Sequence, residues 1–314
     1  MRKNRIAVIW GKARLDGPGA VTVEPAQPHP RNAAAKPPKG ALGAGRYTAR
    51  HVILATGARP RVLPGLEPDG RRVWTYFEAL AAPELPGHLL VVGSGAIGIE
   101  FASFFAALGA QVTVVEAAGR DAVAPWARAA LGAGVDFAVS STAAFADGDL
   151  LGELTALAER SGGRLIIPPG ALSGIDALSA AGRMGLRAVT HRIVKPPRAW
   201  AETEAETLCD LHALTGEVTF FDGTAREAAA RFPQNANVAL ISALAGLGAE
   251  ATRVALIADP AAQVNRHELL AEGDFGRMSL VFENAALLGN PRSSAMTALS
   301  LVRMIENRTA PVVI

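Results

Sequence analysis

Three glycines, Gly93, Gly95 and Gly98, stand in G-x-G-x-x-G spacing directly after the apolar run LLVV and at the mouth of an apolar helical segment. Each has a physical task. The first permits a tight turn, the second lets backbone approach a pyrophosphate, and the third lets helix and strand pack closely. Free N–H groups and the dipole of the helix start then face the phosphates. Glu116 closes the next strand, VTVVE, eighteen residues beyond Gly98. There a carboxylate can accept both ribose hydroxyls and repel a 2′-phosphate, which favours NAD over NADP. Lys195 is a second signal, because it is the only lysine after residue 39 and two prolines follow it. Its ammonium is a candidate clamp for a substrate carboxylate, with a solvated loop lysine as the plain alternative. Arg198 and Arg292 are further candidate clamps. Imidazole has an ordinary pKa suited to proton transfer near neutrality, but the six histidines are scattered and spacing does not choose among them.

These residues need elements to hold them. HLLVVGSGAIGIEFASFFAALGAQVTVVE reads as strand, glycine turn, helix and strand. DFAVSST and RLIIPPGAL follow as buried strands around the helix DGDLLGELTALAERSGG, which has a glycine stop. From about residue 172 the pattern changes to α+β: strands AVTHRIVK, EVTFFDG, RVALIADP and MSLVFENA, with helices GIDALSAAGRMG, TAREAAARF, NVALISALAGLG and SSAMTALSLVRMIEN. Residues 1 to 60 hold eleven Lys or Arg against two acids. They offer strand candidates RIAVIWG, AVTVEP and TARHVILATG, the last expected to be buried in a sheet, around a flexible PAQPHPRNAAAKPPKGALGAG loop.

Composition sets bounds on function. A net charge of +2 over 314 residues carries no basic stripe that would track nucleic acid. Cys209 is the single cysteine, which excludes an internal disulfide or a Cys-x-x-Cys pair, and the scattered histidines form no metal cluster. The apolar stretches 89–118 and 237–258 contain Glu100, Glu250 and Arg253, so buried strands and helices account for them better than a membrane does. A cytoplasmic protein without export signal is expected.

Two resemblances now enter. VIWGKARLDGPGAVTV, HVILATGARPRVLPGLEPDG, WTYFEAL and LLVVGSGAIGIEFASFFAALGAQVTVVE, within residues 5–116, resemble consecutive pieces of dihydrolipoamide dehydrogenase. That family's redox cysteine pair has no counterpart, so flavin-disulfide chemistry cannot run. Residues 115–305 resemble the NAD(P)-dependent L-aspartate dehydrogenase family through VVEAAGRDAV, PPGALSGIDAL, VKPPRAW, FFDGTAREAAARFPQNANVA, LIADPAAQVNRHELLAEGDFG and ENAALLGNPRSSAMTALS. The second resemblance implies oxidative deamination of L-aspartate to iminoaspartate or oxaloacetate and ammonia, with NAD or NADP and neither flavin nor metal. It also implies a role in NAD biosynthesis and a homodimer. It makes His267 the catalytic histidine; otherwise His267 reads as a histidine at a helix start. Ala171 and Asn237 fall on its cofactor-contacting positions, where a small residue admits a ring against backbone and an amide can satisfy a carboxamide.

VTVVE belongs to both patterns, as the second strand in one and as a later strand in the other. The second-strand role is favoured, because its crossover is short and complete. A helix and strand pair would then be missing. The expected fold is therefore α/β, an abbreviated Rossmann-like dinucleotide-binding domain plus an α+β catalytic domain. The expected divisions are a partly disordered flavoprotein-like remnant at 1–84, the dinucleotide-binding domain at 85–171, the catalytic and dimerisation domain at 172–290, and a returning C-terminal helix at 291–314. Two other readings stay open: a fused chain that binds dinucleotide without turnover, and a flavoprotein relative.

Overall fold

The computed structural model describes residues 6–26, 36–55, 57, 59–93, 95–146, 148–287 and 290–313. Two compact units divide the chain, Met1–Glu67 and Pro68–Ile314.

In the first unit, β1 (Lys12–Leu15), β2 (Ala20–Glu24) and β3 (Gly45–Thr48) form an antiparallel sheet with β2 in the centre. Asp16 gathers it, accepting from Thr22 Oγ1 at 3.1 Å and Arg46 Nε at 3.0 Å. Two expected strands do not form among the described residues. RIAVIWG supplies a single bridge, Ile9 to Leu42, and Val52, Ile53 and Leu54 stay outside any sheet, Ile53 being 89% exposed. β-Branched residues favour a strand only where a neighbour supplies the ladder, and here β3 stops at Thr48. Residues 27–35 of the expected loop lie outside the described residues.

The second unit opens with α1 (Tyr76–Ala79), started by a Thr75–Glu78 capping box. Then come β4 (His88–Val92), α2 (Ala96–Ala107), β5 (Gln111–Val115), α3 (Arg120–Gly132), β6 (Asp136–Ala138), α4 (Leu150–Ser161) and β7 (Leu165–Ile166). GRDAV, after the VVEAA strand end, forms the cap and first turn of α3. The four strands are parallel and lie in chain order, β4-β5-β6-β7. Right-handed crossovers between strands in that order put every helix on one face, and α2 packs on α3, which packs on α4. β5 serves both of its sequence patterns at once, with β4 on one side and β6 on the other. β4 is left as the sheet edge. Its Leu90 and Val92 line an apolar cleft of about 240 Å³ with Trp74, Tyr76, Ile97 and Phe101.

The chain continues through α5 (Ile175–Ala181), β8 (Leu186–Lys195), α6 (Ala205–Leu208), β9 (Val218–Thr224), α7 (Ala225–Arg231), α8 (Ala236–Ala245), β10 (Arg253–Ala258), β11 (Asn265–Gly273) and β12 (Gly276–Asn284). The short pair β13 (Ala286–Leu287) and β14 (Asn290–Ser294) precedes α9 (Ala295–Thr309). A five-stranded sheet runs β12-β11-β8-β10-β9, with only β8 and β10 parallel. One apolar core joins the two sheets, from Val114 and Phe137 to Leu240, Val254 and Leu256. α9 reaches back to the parallel sheet, where Arg308 Nη2 lies 2.8 Å from Asp136 Oδ2 on β6.

The contact division at Glu67 comes earlier than the expected one at 84, because the segment between packs on α2: the Trp74 ring lies 6.5 Å from that of Phe105. The second sheet shares one apolar cluster with the parallel sheet and has a further one of its own around Leu172, Leu178 and Leu269. Among the described residues, no helix is long and apolar enough to cross a membrane.

Candidate active site

Because its strands are parallel, the loops after β4, β5, β6 and β7 meet at one end of the sheet. After β4, Gly93 adopts φ +98°, and open space lies where a Cβ would stand on Gly93 or Gly95. At Gly98 a Cβ would meet the Gly93 carbonyl and Val91 Cγ1, both at 3.0 Å, so the third glycine is needed for close packing of α2 on β4. Gly95 caps α2 without a side-chain hydrogen bond, which leaves the amides of the helix start facing outward. Ser94 lies outside the described residues.

Glu116 departs from its expected role. It is fully buried, and Oε1 accepts from the amides of Ala118 and Gly119, each at 2.7 Å. Oε2 accepts from the Ser141 amide at 2.9 Å and Ser140 Oγ at 3.2 Å. The carboxylate thus staples the loop after β5 to the loop after β6 and has no face left for a ribose. Its expected selection of NAD over NADP loses its basis. Ser140 and Thr142 are also engaged within the chain, Thr142 Oγ1 donating to the Asn237 carbonyl at 2.9 Å.

Asn237 sits in the first turn of α8 with an exposed side chain. Its Oδ1 accepts from the Ala143 amide at 2.8 Å, which fixes the amide and leaves its N–H₂ as a donor beside the strand ends. Ala171, after β7, is buried, and its carbonyl accepts from Asn284 Nδ2 at 3.0 Å. The neighbouring Gly170 lies against α8, its Cβ position 3.1 Å from Ile241 Cδ1. Asn237 and the Ala171 loop are thereby brought to one helix.

The second sheet supplies the proton-carrying groups. Residues alternate along β8, so His191, Ile193 and Lys195 share a face; His267 on β11 pairs with Ile193 and shares it too. His267 is mid-strand, not at a helix start. It is 4% exposed, and burial, then the neighbouring His191 and Lys195, hold its pKa well below the usual imidazole range. His191 is fully buried, which pushes its pKa down to about 3. Its Nε2 lies 3.2 Å from His267 Nδ1 and its Nδ1 lies 3.0 Å from Ser242 Oγ on α8.

Lys195 is not a solvated loop lysine. It ends β8, donates to Asn235 Oδ1 at 2.6 Å and stands 4.8 Å from the Trp200 ring centroid. Burial lowers its pKa to about 8. Asn235, 2% exposed, keeps a buried Nδ2 with no hydrogen-bond partner. Arg198 is exposed, and the Arg292 side chain lies outside the described ones. Among the described residues no group of three His, Cys, Asp or Glu converges to hold a metal.

His191, Asn235, Ser242 and Trp200 were not anticipated. Period-two alternation in THRIVK was the available signal for His191, since it sets that residue on the face of Lys195.

Comparison with known proteins finds two families along the chain. The aspartate dehydrogenase C-terminal family model matches residues 176–308, and the pyridine nucleotide-disulphide oxidoreductase model matches residues 1–165. An L-aspartate dehydrogenase of Brucella anthropi is 59% identical over 221 residues, 70% of this chain and 82% of that protein. This chain belongs to the L-aspartate dehydrogenase family and carries a pyridine nucleotide-disulphide oxidoreductase segment. The crystal structure of aspartate dehydrogenase from Thermotoga maritima superposes with a TM-score of 0.56 at 26% identity, covering 72% of this chain and 97% of that one. A dihydrolipoyl dehydrogenase of Rhizobium etli is 55% identical over 124 residues, 37% of this chain but only 24% of that protein. The aspartate dehydrogenase family is one of NAD(P)-dependent oxidoreductases, and His267, Lys195 and Asn237 all fall in its part of the chain.

Proposed function

We propose that the protein oxidises L-aspartate with NAD or NADP, yielding iminoaspartate, which water converts to oxaloacetate and ammonia. The observation that carries this reading is the placement of His267 and Lys195 on one buried sheet face, beneath a helix whose first turn is tied to the parallel strand ends.

The glycine turn fits a dinucleotide, because Gly93 and Gly95 leave open space at the uncapped start of α2. Asn237 and the loop of Ala171 would hold the nicotinamide end, and Gly93, Gly95 and Gly98 the pyrophosphate. When bound, the nicotinamide supplies a hydride acceptor. His267 takes the proton that frees the substrate amine, releases it to solvent, and so returns as the neutral base that takes the proton of the water attacking the imine. The Lys195 ammonium pairs with a substrate carboxylate, and Asn235 Nδ2 offers that carboxylate a second donor. With one cysteine, flavin-disulfide chemistry has no part, and imidazole and ammonium suffice without a metal. Family membership supports a cytoplasmic homodimer whose product enters NAD biosynthesis.

The test is product analysis with purified protein. Oxaloacetate, ammonia and reduced nicotinamide are expected in equal amounts from L-aspartate, and their absence with both NAD and NADP would refute the reading.

One observation favours a second reading, a fused chain that binds dinucleotide without turnover. Strand order β4-β5-β6-β7 has no reversal, whereas open α/β sheets bind ligands where the order reverses. Saturable cofactor binding without product would select it.

A further inference from the structure

The proton positions around His267 follow from its partners. Ser242 Oγ lies 2.8 Å from the Ala239 carbonyl of its own helix. A carbonyl only accepts, so the one hydroxyl hydrogen of Ser242 goes there. Toward His191 Nδ1, 3.0 Å away, the oxygen is then an acceptor, and that nitrogen carries hydrogen. His191 is fully buried and has no carboxylate partner among the described residues, so it is neutral. Its Nε2 therefore presents a lone pair to His267 Nδ1 at 3.2 Å. His267 must donate across that contact, which leaves its own Nε2 bare.

We infer that Ser242 and His191 are positioning residues, forming a relay from the Ala239 carbonyl that locks His267 as its Nδ1–H tautomer and presents Nε2 as the base. Neither residue need touch substrate. The relay differs from a carboxylate-held histidine in one respect: its acceptor is uncharged. Nothing negative therefore raises the basicity of His267, and Lys195 on the same face opposes protonation further. The reverse proton order would require Ser242 to leave the Ala239 carbonyl and would put hydrogen on His267 Nε2. That nitrogen could not then take a proton.

This inference rests on His267 being the base of the proposed reaction, but its first test needs no turnover. Nitrogen-15 NMR of the full-length protein, with His267→Gln to assign the ring, reports which nitrogen is protonated. The Nδ1–H form is expected for wild type, and the Nε2–H form would overturn the relay. The kinetic test replaces His191. His191→Gln can donate to Ser242 and accept from His267, so it should keep kcat within about tenfold. His191→Phe breaks the relay and should lose about a hundredfold or more in kcat with little change in KM for aspartate. Ser242→Ala, a smaller change should the Phe variant fail to fold, should give a mixture of His267 tautomers and about a tenfold lower kcat. Wild-type kcat in both His191→Phe and Ser242→Ala would overturn the inference. An Nδ1–H tautomer in a protein inert toward aspartate would instead leave the relay standing and remove the proposed function.

Discussion

Asn237 accepts the Ala143 amide on its side-chain oxygen at 2.8 Å, and through that bond the helix packed against His191 is fastened to the strand ends of the parallel sheet. The same side chain therefore has two separable tasks. Asn237→Asp keeps the acceptor for Ala143 and loses the amide donor, so it should raise cofactor KM about tenfold or more with little loss of stability. Asn237→Ala should raise KM similarly and also cost about 1 kcal/mol. Denaturant melts beside cofactor titrations separate the two; equal cofactor KM in both variants and wild type would remove the cofactor role.

Glu116 is predicted to be a stability residue. Removing its carboxylate in Glu116→Ala strands three backbone amides, while the Ser140 hydroxyl keeps the main-chain carbonyl of residue 116 at 2.8 Å, at a cost of about 3 kcal/mol or more. The preference between NAD and NADP should not move. A shift toward NADP without loss of stability would show that the carboxylate meets a ribose after all.

Lys195 gives a pH signature. The ammonium is the form that pairs with a carboxylate, and its pKa is lowered to about 8 by burial. Attraction for aspartate is therefore present below that value and lost as pH rises through it, which adds a falling limb to kcat/KM for the free enzyme. In Lys195→Met the limb should vanish, and kcat/KM at neutral pH should fall about tenfold to a hundredfold. An unchanged profile would show that Lys195 makes no substrate contact.

The buried histidines predict an acid limit to stability. In the unfolded chain both protonate near the ordinary imidazole pKa, whereas the folded chain keeps His191 neutral down to about 3 and holds His267 well below its usual value. The unfolded state thus binds more protons in the acid range. Stability is full above about pH 6.5 and falls as pH drops below it, by about 1.4 kcal/mol per pH unit for each neutral histidine. Urea melts should show a shallower fall in His191→Gln, and identical slopes in the two proteins would contradict the assignment.

How much of this was legible depended on whether a feature is local. The glycine turn was, because a positive φ at Gly93 and close packing at Gly98 are demands that only glycine meets. The β8 strand was too, since its alternation is strong. β11 was not. RHELLAE has helix-forming residues throughout, and its strand state comes from pairing with β8 on one side and β12 on the other, closed by a tight turn at Gly276 with φ +110°. Glu116 misled for the opposite reason: its position at a strand end is right for a ribose ligand, but the four donors that consume it come from two loops that only tertiary folding brings together. Asn235 and Ser242 gave no sequence signal, because their partners lie forty and more residues away.

The most direct measurement is reduced-nicotinamide formation from L-aspartate by wild type and His267→Ala at alkaline pH, with cofactor affinity determined for both. The account predicts turnover by wild type, a loss of about a hundredfold or more in the variant, and unchanged cofactor binding. Equal rates in the two proteins, or no turnover by a wild type that binds cofactor, would contradict it.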